Sequence, residues 1–136
     1  VSITVTMLLA DHAQVADGKL YVNGGGWTVV DAATPGYSIA LLLMVPWERA
    51  GRPVDLTLTL IDEDGHPVEA GNGAPIRISG RIEVQRPPAH PVGIPLQLPL
   101  VINVPALTLQ PTSLYAWMLD IDGDTRDEWR LTFTTR

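Results

Sequence analysis

A chain of 136 residues with 46% hydrophobic content can bury its own core without disulfide or metal staples, and residues 1–136 read as a single domain. The absence of cysteine excludes disulfides, thiolate metal sites and cysteine nucleophiles, and it fits a reducing, cytoplasmic compartment. A net charge of −6, from fifteen acidic against nine basic side chains, repels phosphate backbones and anionic headgroups, so nucleic acid is not an expected partner.

The first expected strand runs from about Ser2 to Ala10 and the second from Lys19 to Val30. Within the second the apolar phase slips: Leu20 and Val22 are even, Trp27 and Val29 odd. A β-bulge at Gly24-Gly25-Gly26 would restore it, and is favoured over an anion-cradling loop because strand, not helix, follows. The third strand, Tyr37 to Val45, holds most of the longest apolar stretch, Ile39 to Pro46. That stretch is too short to cross a hydrocarbon core of about 30 Å as a helix. No basic-then-apolar leader opens the chain, so neither a membrane span nor a signal peptide is expected.

Val54 to Ile61 alternates most cleanly, with Val54, Leu56, Leu58 and Leu60 on one face and Asp55, Thr57 and Thr59 on the other. Ile76, Ile78, Ile82 and Val84 alternate likewise, with Gly80 in phase on the apolar side. Further strands are expected over Pro95 to Val104, Ser113 to Asp122, and around Trp129, Leu131 and Phe133. Twelve prolines and twelve glycines punctuate these runs too densely for a long helix. Asp17-Gly18, Pro35-Gly36, Asp64-Gly65 and Asp122-Gly123 supply turns, and Arg86 to Gly93 forms a longer crossing. The chain is therefore expected to be all-β: a two-layer antiparallel β-sandwich of about eight strands, with jelly-roll, immunoglobulin-like and C2-like topologies all open.

The segment LLADHAQVADGKLYVNGGGW (Leu8 to Trp27), with Val45-Pro46-Trp47 and the closing YAWMLDIDG and EWRLTFTTR stretches, resembles a family of small bacterial all-β proteins of uncharacterised function. An Ala-Asp-His-Ala element, a Gly-Lys-Leu step and a glycine triplet before tryptophan carry the resemblance. It implies a small stand-alone domain and assigns no catalytic residue.

Catalytic constellations are absent from the pattern. Asp11 and His12 are neighbours in a strand and point to opposite faces. His12, His66 and His90 lack zinc-ligand spacing, and no nucleophile elbow surrounds any serine. The best chemical candidates are the acidic turns, where Asp62 and Asp64, and Asp120, Asp122 and Asp124, gather hard oxygen ligands of the kind calcium takes. Trp27, Trp117 and Trp129 lie in phase with core neighbours, whereas Trp47, beside Pro46 at a strand end, is a candidate contact residue.

Two strands are apolar on both faces. Opposite Ile39, Leu41, Leu43 and Val45 stand Ala40, Leu42 and Met44; opposite Tyr115, Trp117, Leu119 and Ile121 stand Leu114, Ala116 and Met118. An antiparallel sheet normally wets its outer face, so these strands need a cover. Burying roughly 600–800 Å² per partner supports association. A homo-oligomer, most simply a dimer, is expected through Ala40, Leu42, Met44, Leu114 and Met118, unless the proline-rich stretch Pro87 to Pro95 folds over the patch. The functional expectation is a non-enzymatic interaction or assembly module whose loops meet a protein partner; the alternative is a calcium-dependent or small-ligand binding sandwich.

Overall fold

The computed structural model describes residues 3–136, so the expected strand start at Ser2 lies outside it. Eleven strands follow in order: β1 (Thr4–Ala16), β2 (Lys19–Gly25), β3 (Val29–Val30), β4 (Ala33–Thr34), β5 (Tyr37–Val45), β6 (Pro53–Asp62), β7 (Arg77–Glu83), β8 (Leu96–Val104), β9 (Leu107–Thr108), β10 (Leu114–Ile121) and β11 (Asp124–Thr135). Besides these, the described residues hold a single 3-10 turn at Trp47–Arg49 and no α-helix.

The strands form a four-stranded sheet (β2-β1-β5-β8), a five-stranded sheet (β3-β11-β10-β6-β7) and a two-stranded pair (β4-β9). All pairings are antiparallel except β3 with β11. The chain enters the five-stranded sheet at β3, returns to the four-stranded sheet for β5, and crosses again for β6 and β7, back for β8 and once more for β10 and β11, so the two large sheets interleave along the sequence. Ile39, Leu41 and Leu43 from one and Leu58, Leu60, Trp117 and Phe133 from the other merge into one apolar core. Each is 2% exposed or less, which burial alone makes favourable by about 1.5–3 kcal/mol per large aliphatic side chain. Tyr37 and Trp117 link the sheets: Trp117 Nε1 donates to Tyr37 Oη at 2.9 Å in the interior.

Three local details depart from the sequence reading. β1 continues six residues past Ala10, because Asp11 to Ala16 pairs with β2 across a tight turn at Asp17 and Gly18, both with positive φ (54° and 70°). The glycine triplet inserts no residue, since Ala10↔Gly25 and Ala16↔Lys19 keep one register. The chain is instead turned by positive φ at Gly24 (61°) and Gly26 (90°), and a Cβ on Gly24 would collide with the Asp11 carboxylate. The register shift occurs between β10 and β11, near Met118 and Asp120. Finally, Gly36 takes no positive φ, so Pro35-Gly36 is a plain connection into β5.

Candidate functional site

The outer face of the four-stranded sheet is fixed by its registers. Across β1, β5 and β8 the rungs read Thr4–Met44–Gln97 and Thr6–Leu42–Pro99. Two further rungs read Leu8–Ala40–Val101 and Ala10–Ser38–Asn103. No side chain of these four rungs is charged, in a chain with nine basic and fifteen acidic residues. On the five-stranded sheet the outer face is charged in contrast: Arg81 grips Asp55 through two bonds (2.7 and 3.3 Å), and Met118 lies opposite Arg130.

The uncharged face is covered at one end by the chain itself. Beyond Ala10 the β1–β2 hairpin curls until both of its strands reach β8, on the far side of β5. Ala13 N–H donates to Ser38 Oγ, which in turn donates to Asn103 Oδ1 (3.3 and 3.0 Å). Ala10, Ser38 and Ala40 are thereby reduced to 2% exposure or less. Ala40 consequently offers no surface to a partner, and this corrects its place among the expected contact residues. Leu42 stays half-buried and Met44 is 39% exposed. The proline-rich crossing does not seal them: its Val92 and Ile94 are exposed (77% and 52%), and Arg86 at its start is spent on Trp47. Leu114 (37% exposed) and the half-buried Met118 belong to the five-stranded sheet, a different sheet from that of Leu42. The structure thus splits the expected surface in two.

Trp47 is half-buried against the core, and the Arg86 guanidinium sits 4.1 Å from its ring centroid. Arg86 also donates to the carbonyls of Trp47 and Glu48, so the indole is held as a corner with one side under a cation.

The two acidic turns differ. In the hairpin between β10 and β11, Asp122 Oδ1 accepts from Asp55 N–H (2.9 Å) and Oδ2 from Arg49 Nη2 (2.6 Å). These bonds hold its carboxyl below the usual carboxylate range, the Asp55 amide first and Arg49 after it. Asp120 Oδ1 caps Gly123 N–H (2.7 Å), and Asp124 lies 3.7 Å from Arg126. Asp120 and Asp122 thus fasten this turn through the amides of Gly123 and Asp55, and Arg49 takes one oxygen of Asp122. In the other turn Asp62, Asp64 and His66 bring one ligand atom each to within 4.8 Å of one another. Asp62 Oδ1 already accepts from the amides of Asp64 and His66 (3.0 and 2.9 Å), which orders the loop. The sequence signal for His66 is the Asp-x-Asp-x-His order of residues 62, 64 and 66 within one turn, which zinc-ligand spacing does not capture.

Ser38 Oγ donates to Asn103 Oδ1, the Ser79 and Thr57 hydroxyls bond each other, and Ser113 Oγ donates to the Pro111 carbonyl. His90 bonds the Ile94 carbonyl at 2.7 Å.

These features define a class before they define a role: an all-β protein with an uncharged sheet face and no helix long and apolar enough to cross a membrane among the described residues. Residues 5–134 match a family of unknown function (DUF6941), and the chain belongs to that family. No curated protein and no solved structure matches it.

Proposed function

We propose that the chain is a two-layer β-sandwich acting as a non-enzymatic interaction and assembly module, which pairs with a second copy through the outer face of the four-stranded sheet. The observation that carries this reading is the uncharged face at its uncovered end, the rungs Thr4–Met44–Gln97 and Thr6–Leu42–Pro99, where Met44 is exposed and Leu42 half-buried. Two copies of a −6 chain repel, and a twofold contact sets each surface against itself. A face without charge is the one where that repulsion is least and apolar area is available. The shared core and the Trp117–Tyr37 bond support the layering of the two large sheets.

Sedimentation velocity tests it. The native chain runs as a dimer at tens of micromolar, and Leu42→Glu weakens association by about a hundredfold, because symmetry places two carboxylates in one apolar contact at roughly 1–3 kcal/mol each. A native chain that is monomeric at that concentration ends the reading.

A second reading rests on Asp62, Asp64 and His66. A carboxylate pair with an imidazole suits a divalent transition ion better than calcium, which prefers oxygen alone. A ligand that binds the native state raises the melting midpoint by mass action. Scans with manganese, zinc or calcium against chelator are therefore decisive: a rise lost in His66→Ala supports the site, and superimposable curves dismiss it.

A further inference from the structure

The sheets part between their edge strands, β7 of the five-stranded sheet and β8 of the four-stranded one. A slot of ≈ 90 Å³ opens there, walled by Ile78 and Ile82 of β7 and by Leu100 and Ile102 of β8, with core leucines as its floor. Gly80 stands at its mouth, between the two isoleucines on the inward face and opposite Leu56. Nothing local demands glycine at this place: its φ is ordinary for a strand, and a Cβ built on it meets no atom within 4 Å. Glycine weakens a strand interior. What it provides here is an opening the size of one aliphatic side chain.

The two edges beside the slot are unequal. Proline in a sheet turns its nitrogen away from the ladder, so Pro99, paired with Leu42, leaves a missing donor in the middle of the free edge of β8. β7 has no proline, and its unpaired N–H and C=O groups run from Arg77 to Glu83. Its arginines do not block that edge. Arg81 is drawn back onto Asp55 of β6, and Arg77 Nε onto the Thr59 hydroxyl (3.2 Å). Thr59 is neutral, so Arg77 holds a positive charge with no ion pair among the described residues, on the outer face of the edge strand.

We propose that β7 is a docking edge for an extended segment of a protein partner, which joins the five-stranded sheet as a further strand and places an apolar side chain in the slot that Gly80 leaves open. Directly opposed residues share a face. The partner residue facing Gly80 therefore points into the slot and is apolar, while in antiparallel pairing the residue three further along faces Arg77 on the outer side and is acidic. Main-chain bonds supply affinity and this pair of side chains supplies selectivity. The surface lies apart from that of Leu42 and Met44, so this inference and the self-association reading fail separately.

The probe is the capped peptide Thr-Val-Glu-Leu-Thr-Val-Glu, whose leucine falls opposite Gly80 and whose last glutamate falls opposite Arg77. The expected result in an NMR titration of the full chain is saturable shifts of the amides from Arg77 to Glu83 and of the Ile78, Ile82 and Leu100 methyls. Replacing the peptide's leucine by lysine weakens binding about tenfold or more. Gly80→Leu does the same by filling the slot from within, and the peptide control stands whether or not that variant folds. Shifts equal to those from a scrambled peptide, or centred on Leu42 and Met44, overturn the proposal. So does entry of benzene into the slot with no response to peptide, which makes it a small-molecule site. Loss of dimer in Gly80→Leu with the dimer kept in Leu42→Glu would assign the edge to a second copy and overturn it too.

Discussion

Tyr37 shows how a single residue is held by burial and by one bond. Its hydroxyl accepts from Trp117 Nε1, and its ring meets Trp27 edge-on with centroids 5.2 Å apart. Removing the hydroxyl in Tyr37→Phe leaves a fully buried indole N–H without an acceptor, so stability should fall by about 1–3 kcal/mol in urea unfolding. Burial also pushes the Tyr37 hydroxyl up to about 12, partly offset by the Trp117 bond. The sign follows from linkage. Between about pH 10, where an unfolded tyrosine ionises, and about 12, the folded state holds a proton that the unfolded one has lost. The stabilisation is complete below pH 10 and is lost as pH rises through that window, on the order of 2–3 kcal/mol in all. Ultraviolet titration of tyrosinate should show a late component that disappears in Tyr37→Phe, and a late component unchanged by that substitution would contradict the placement.

Among the elements, the β10–β11 hairpin is the clearest case of acidic residues whose work is structural. Asp122 reaches from its tip to Asp55 in β6 and to Arg49 beside the 3-10 turn, joining three segments. Asp122→Ala should cost roughly 1 kcal/mol, the usual net worth of a surface-side hydrogen bond. Because its folded carboxyl lies below the ordinary value, that contribution is present above about pH 4 and vanishes as pH falls through the folded value. Unfolding of native and variant chains should therefore differ at neutral pH and converge in acid. Strands of this kind were legible where side chains alternate: β5 begins and ends at the expected Tyr37 and Val45. β1 runs past the expected end at Ala10, because no apolar alternation marks Asp11, His12 and Gln14, which are polar and exposed along a long hairpin. The strands β4 and β9 carry two residues each and are set by the long-range bonds of Thr34 Oγ1 with Leu107, which no local pattern records. The cover over Ala40 was equally illegible, since it comes from the curl of a hairpin and not from its composition. His66 and the edge slot at Gly80 needed the fold to place them, although Gly80 had already stood out as an apolar-phase position with no side chain.

For the whole molecule the unequal charge of the two outer faces makes a testable statement about salt. Contacts built on ion pairs dissociate as salt screens them, and contacts between like-charged bodies through a neutral surface tighten. Each chain carries −6, and the face proposed to pair holds no charge in four rungs across β1, β5 and β8. At low ionic strength the repulsion between copies extends about 30 Å, and near physiological salt about 8 Å. Dimerisation should therefore strengthen on going from low to physiological salt, by a modest factor because no charge lies in those rungs. The charged face predicts the reverse, since a contact through Arg81, Asp55 and Arg130 would lose attraction under the same change. Sedimentation equilibrium across a salt series separates the two, and Met44→Glu, on the uncharged face, should weaken the dimer and turn a mild salt dependence into a steep one. A dimer that falls apart with added salt would place the interface on the five-stranded sheet instead, where Leu114 and Met118 lie.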